Sequence, residues 1–250
     1  MKTALVTGVS TKIGLGYAIA EALGKQGFHV IISARKLEQA ETLAKDLNGQ
    51  GISASAVRID LLDRNSIAEA AKEVKEKHPI LDVLINNAAL MLDGSATTLE
   101  KDLDEFNTEF ETNVTGTWSV TQQFYPMVAA SGHGRIVNVS SGAGSYADPD
   151  FGIVNFPGAA LSLIDAYPLT PYAITKLALN GLTIKMGKEF KAYNVLVNAI
   201  CPGFTATRPG SAEFGARPVS ESVKGIVWAA TLPDDGPTGQ FFRDGKPLPW

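Results

Sequence analysis

An α/β fold, a doubly wound parallel sheet of seven strands forming a single domain over residues 1–250, is predicted by three observations. Short β-branched or apolar runs alternate with segments of helical period, the pattern of βαβ units. A glycine-rich turn follows the first run, and no stretch has the composition of a repeat, a low-complexity tract or a second domain. With 250 residues and 45% hydrophobic content the chain can bury one large core.

The first strand is expected over residues 2–7, followed through the glycine turn by a helix from Leu15 to Gly24. His29 to Ser33 reads as the second strand and Lys36 to Leu47 as its helix, stopped by Asn48-Gly49-Gln50-Gly51. Ser53 to Ile59 and Leu81 to Ile85 give the third and fourth strands, with a helix from Asn65 to Lys77 between them. A long helical stretch from Leu99 to Ala130 precedes the fifth strand, Gly134 to Val139. Residues 142–171 break this rhythm with Gly, Pro, Asp and scattered aromatics and read as an insertion. Thr170-Pro171 then offers an N-cap and a first-turn proline for a helix reaching Tyr193. Asn194 to Ile200 is the sixth strand, Cys201 to Ser220 a loop, Glu221 to Thr231 a helix and Gln240-Phe241-Phe242 the last strand.

Composition narrows the function classes. A net charge of −4 and a pI near 5.4 give no basic field for nucleic acid or an anionic membrane. The single cysteine, Cys201, excludes an internal disulfide framework, and no His/Cys cluster has the spacing of a structural zinc site, which fits a reducing cytoplasm. The apolar start is interrupted at Thr7-Gly8, too soon for a signal h-region or a membrane span, so the expected location is cytoplasmic.

The first turn reads Thr7-Gly8-Val9-Ser10-Thr11-Lys12-Ile13-Gly14-Leu15-Gly16. Gly8, Gly14 and Gly16 let the backbone approach a pyrophosphate, Ser10 and Lys12 offer polar contacts, and the following helix supplies N–H donors, as in a Rossmann-type cofactor site. A tight turn without a ligand would look similar. Strand two ends at Ser33-Ala34-Arg35-Lys36, where an NAD site would place an acid for the ribose hydroxyls. Arg35 suits a 2′-phosphate instead, so NADP(H) is the expected cofactor, with Lys12 a possible second contact. Asp60 and Leu61 follow strand three; Asp60 either contacts adenine or caps the next helix. Asn86-Asn87-Ala88-Ala89 is small and polar where the carboxyl end of strand four meets the crevice, so Asn87 and Ala88 join the cofactor set.

Tyr172 and Lys176 stand at i and i+4 on one helical face, which brings an ammonium near a phenol. A free phenol titrates near pH 10, so it needs such help to serve as an acid at neutral pH. An amphipathic helix alone would also produce the pair. Its company strengthens it: Ser141 at the end of strand five can hydrogen-bond a carbonyl, and Asn113 is a mid-helix asparagine that wants a partner. Pro202-Gly203-Phe204-Thr205-Ala206-Thr207, after strand six, sits where a nicotinamide carboxamide would be gripped.

In this order the motifs give a chain that resembles the short-chain dehydrogenase/reductases over nearly its whole length. The resemblance implies a tetrad. Tyr172 is the acid/base, Lys176 lowers its pKa and binds the nicotinamide ribose, Ser141 orients substrate and Asn113 holds a water in a proton relay. Pro202, Gly203, Thr205 and Thr207 are implied in cofactor binding, as are Tyr172 and Lys176. The tail from Leu232 to Trp250 and the gap before Tyr172 look like the NADPH-dependent carbonyl reductase branch, whose members reduce ketones and aldehydes and are often monomeric. The expected partner is therefore a small carbonyl or alcohol, and the expected state a monomer.

Three departures stand out. Lys12 occupies a position where glycine is usual, in a lengthened loop; Ala89 replaces the last glycine of its turn; and Ser141 and Tyr172 are 31 positions apart. The longer loop also resembles that of enoyl reductases, but no tyrosine here stands seven before a lysine. Double-bond reduction, or NADPH binding without catalysis, are the alternatives. The insertion, with Phe151, Ile153, Val154, Phe156, Leu161, Leu163 and Ile164, is expected to wall the substrate pocket.

Overall fold

A computed structural model describes residues 1–92, 96–153 and 169–250. The sheet contains β1 Thr3–Val6, β2 His29–Ala34, β3 Ala54–Arg58, β4 Val83–Asn86, β5 Arg135–Val139, β6 Leu196–Ile200, β7 Phe241–Arg243 and β8 Lys246–Pro247. Their order is β3-β2-β1-β4-β5-β6-β7-β8, parallel throughout except for β8, which pairs antiparallel with β7. The order reverses between β1 and β4, opening a crevice at the carboxyl ends of the strands.

Helices α1 Leu15–Lys25, α2 Leu37–Gly49, α3 Arg64–Lys77, α4 Leu103–Phe110, α5 Thr117–Ala130, α6 Thr170–Phe190 and α7 Val219–Ala230 cover the two faces. Alternation along the strands divides the core. Ala4, Val6, Val30, Ile32, Val83 and Ile85 pack with α1, α2 and α7. Leu5, Ile31, Leu84, Ile136 and Val197 face α3, α5 and α6. Strands buried on both faces account for the continuous apolar runs in the sequence. No helix among the described residues is long and apolar enough to cross a membrane.

Several expectations need correction. Among the described residues the sheet has eight strands and not seven, because the turn at Asp244-Gly245 returns Lys246–Pro247 onto β7. The stretch expected as one helix from Leu99 to Ala130 starts at Leu103 and is divided by a π-helical turn, Glu111–Gly116, that carries Asn113. Thr170 is not the cap of α6: Leu169, at φ 50°, holds that place, and Thr170 and Pro171 lie in the first turn. Asp60 does not cap α3 either; Asp63 does, accepting from Asn65 N and Ser66 N at 3.1 Å each. Of the insertion, Phe151 is half-buried and Ile153 exposed; Val154, Phe156, Leu161, Leu163 and Ile164 lie outside the described residues.

Candidate active site and cofactor cleft

The cleft is built where β1 and β4 part. Gly8 adopts φ 73°, and a methyl group on it would lie 2.6 Å from Ala88 Cα. One on Gly16 would meet Asn87 Nδ2 at 2.8 Å. Only glycine permits this closeness. The two turns are also sewn together: Thr7 Oγ1 accepts from the amides of Asn87 and Ala88 at 3.0 Å, and Asn87 Nδ2 donates to Thr7 O at 2.8 Å. Gly14 caps α1 without a side chain to satisfy the first-turn amides, which leaves that helix end open to an anion.

The cationic residues fall into two places. Arg35 is exposed just past β2, and its carbonyl accepts from Arg58 Nε at 3.2 Å. Arg58, at the end of β3, sits against the Arg35 backbone and is paired with Asp63 at 3.2 Å. Lys12 is committed elsewhere: its ammonium lies 2.7 Å from Asp46 on α2. Asp46 also accepts from the Tyr17 hydroxyl and from Gln50. The Lys12 hydrogen bond holds the Asp46 carboxyl below its ordinary range, and burial pushes the Tyr17 phenol up to about 12. Ser10 is exposed on the same loop. Asp60 Oδ1 accepts from Leu62 N at 3.2 Å, and Leu61 is buried under Gly116, where a methyl would strike the Leu61 carbonyl.

Ser141, Tyr172 and Lys176 come together at the carboxyl end of β5. Lys176 is 2% exposed; its Nζ donates to Val139 O at 2.8 Å and lies 5.4 Å from the centre of the Tyr172 ring. Burial draws the ammonium down to about 8. Burial also raises the Tyr172 phenol above its ordinary value, while a hydrogen bond from Ser141 draws it down. The expected lowering by Lys176 is therefore not what acts on the phenol here; desolvation dominates, with Ser141 as the opposing contact. Ser140 anchors this turn by donating to Asn180 Oδ1 at 2.6 Å, and Asn180 Nδ2 donates to Gly144 O at 2.9 Å. Gly144 must be glycine because a side chain would enter the Lys176 backbone.

Asn113 is buried, and its amide is fully engaged. Oδ1 accepts from Leu90 N at 2.7 Å, while Nδ2 donates to Leu90 O at 2.8 Å and to Thr175 Oγ1 at 3.0 Å. Its side chain thus fastens the segment after Ala89 to α6, between Tyr172 and Lys176. A π-turn at such a position is a common device of functional sites. Beyond β6, Gly203 adopts φ 72° and Thr205 Oγ1 shares a 2.8 Å hydrogen bond with Ser222 Oγ. Thr207 N donates to Thr205 O at 2.8 Å, and Pro202 stands half-buried beside the cleft. Among the described residues no His, Cys, Asp and Glu gather as metal ligands.

Arranged this way, the site can offer a proton from a phenol and hold a phosphate-bearing ligand on backbone amides and guanidinium groups. The oxidoreductase UcpA of Escherichia coli K12 is 36% identical over 206 residues, covering 82% of this chain and 70% of that protein. A 3-oxoacyl-[acyl-carrier-protein] reductase, FabG of Aquifex aeolicus, is 36% identical over 207 residues, covering 82% and 75%. The crystal structure of NADPH-bound carbonyl reductase from chicken fatty liver superposes with a TM-score of 0.82 at 25% identity, covering 100% of this chain and 99% of that one. The family model described as short chain dehydrogenase matches residues 2–154 and 159–214, so the chain belongs to the short-chain dehydrogenase family.

Proposed function

We propose that this oxidoreductase uses NADP(H) to interconvert a ketone or aldehyde with an alcohol, with Tyr172 as the general acid/base. The observation that carries the reading is the Tyr172 phenol, hydrogen-bonded by Ser141 above the buried Lys176 ammonium, at the open end of β5. Gly8, Gly14 and Gly16 clear room for a pyrophosphate, Arg35 supplies the cation for a 2′-phosphate, and Asp60, Leu61, Asn87 and Ala88 border the adenine and ribose side. Pro202, Gly203, Thr205 and Thr207 border the nicotinamide end. Lys12 contributes once it leaves Asp46. When bound, the cofactor supplies or accepts the hydride.

The chain's own residues handle the proton. Burial keeps the phenol protonated at neutral pH, the state needed to protonate the oxygen of a carbonyl under reduction. The Ser141 hydroxyl, which accepts from Ala143 N at 3.2 Å, has its own proton free to donate to Tyr172 or to the carbonyl. Lys176 places positive charge beneath the ring. Asn113 keeps the 90–92 segment against α6 and so fixes one wall of the cleft. A carbonyl substrate is favoured by the likeness in fold to the NADPH-bound carbonyl reductase and in sequence to the 3-oxoacyl reductase. The protein acts as a monomer in the cytoplasm. Incubating purified protein with NADPH and a panel of aldehydes, ketones and diketones, while following NADPH absorbance, tests the reading. Consumption that requires a carbonyl and vanishes in Tyr172→Phe supports it; no consumption with any of them overturns it.

A further inference from the structure

The strand order places β7 beside β6, and Arg243 at its end and Asp244 in the turn that follows reach in different directions. The Arg243 guanidinium pairs with Asp148 and, at 2.5 Å, with Asp150, and lies 5.1 Å from the centre of the Phe151 ring. Asp148 is fully buried, and its Oδ1 accepts from Asp150 N and Phe151 N, so the pair fixes the backbone of this whole turn. Arg243 and Asp148 also pack directly on Gly142, the neighbour of Ser141: a methyl there would overlap both groups.

Asp244 holds the opposite side. It accepts a fork of two hydrogen bonds from Arg217, each 2.8 Å, from a left-handed conformation at φ 53°. Arg217 Nε donates to Ser222 Oγ at 3.0 Å, and that hydroxyl bonds Thr205 Oγ1. The Arg217 backbone is tied to the same loop, donating to Phe204 O at 2.8 Å and accepting from Ala206 N at 2.9 Å. Cys201 lies between the two sides, accepting from Gly142 N at 3.2 Å and Gly203 N at 3.4 Å.

We propose that Arg243 and Asp244 are positioning residues that set the separation between the two walls of the cleft. Arg243 holds the turn after Ser141, and Asp244 holds, through Arg217, the loop that carries Thr205. Arg243 ends β7 and Asp244 opens the turn after it in a left-handed conformation, so one dipeptide serves both walls. Stability alone does not account for the arrangement. The Arg217 and Asp244 side chains are 26% and 47% exposed, and exposed pairs add little, whereas a forked guanidinium–carboxylate contact fixes orientation.

The inference rests on the reading that Ser141 and Thr205 belong to the active site, and its test has an arm that does not depend on turnover. NADPH affinity is measured by fluorescence titration of the parent, Asp244→Asn, Arg217→Met and the double variant; asparagine tolerates the left-handed backbone. Each single variant should weaken NADPH about tenfold, and the double variant no more than either, because all three break the same link. Affinity within about twofold of the parent, or additive losses, would overturn the Asp244 side. For the other side, Arg243→Met combined with Asp148→Asn removes both charges together and avoids a lone buried ion. That variant should bind NADPH within about twofold of the parent while its kcat falls about tenfold or more. Unchanged kcat, or a loss confined to NADPH affinity, would overturn it. If Tyr172→Phe also stays active, the reading of the reaction fails while the titration still decides the Asp244 side. A parent that does not bind NADPH overturns both.

Discussion

Replacing Lys176 with methionine isolates what its buried ammonium costs the fold. Burial moves this lysine from 10.5 to about 8, so the unfolded chain takes up its proton at higher pH than the folded one. This residue's cost to the parent is therefore greatest below about pH 8 and falls as pH rises from there toward 10.5. The full difference corresponds to about 3 kcal/mol at pH 7 and shrinks to about 1 kcal/mol at pH 9.5. Methionine fills a similar volume and does not titrate. It leaves Val139 O without its donor, a loss of about 1 kcal/mol that does not vary with pH. Urea unfolding of both cofactor-free proteins at pH 7 and 9.5 should thus find the variant more stable at pH 7. That advantage should shrink by about 2 kcal/mol at the higher pH. Groups common to both proteins cancel. A difference that stays constant within about 0.5 kcal/mol would show that Lys176 carries no buried charge and would refute the reasoning.

Tyr172→Phe removes only the transferable proton, so turnover should fall about 10²- to 10⁴-fold with NADPH affinity intact, as steady-state rates and fluorescence titration would show. The parent should prefer NADPH over NADH in kcat/KM, and Arg35→Asp should erase or reverse the preference by setting an anion against the 2′-phosphate. Asn113→Ala leaves both polar groups of Leu90 and the Thr175 hydroxyl short of a partner, and should lower urea stability by about 2 kcal/mol. Light scattering should return a mass near 26.5 kDa; a stable dimer or tetramer would overturn the monomer.

The alternation of apolar runs and helical periods made the parallel sheet legible, because strands buried on both faces leave continuous apolar segments such as Val30-Ile31-Ile32. Motif order pointed to Asn113, Ser141, Tyr172 and Lys176; in the structure Ser141 bonds the Tyr172 phenol, Lys176 lies under its ring and Asn113 bonds Thr175 on the same helix. What stayed hidden were features that depend on partners distant in sequence. Nothing in the sequence near Lys12 shows its ion pair with Asp46, 34 positions away. The π-turn at Glu111–Gly116 has no signal in helical periodicity, and the division becomes visible only where Asn113 fastens Leu90. Arg217 and Asp244 stand 27 positions apart in segments that read as a loop and a tail. Leu169 in a left-handed cap defeats the expectation at Thr170, since leucine rarely adopts that conformation.

The small strand β8 has a consequence for the molecule's behaviour in concentrated solution. β7 carries Phe241 and Phe242, and without a neighbour its outer edge would be an apolar row of free amides and carbonyls, ready to pair with another chain. β8 covers that edge with only two residues, both exposed. Proline at 247 has no N–H to offer, and the charge of Lys246 resists burial against a second sheet. The outermost strand is thus a poor template for aggregation.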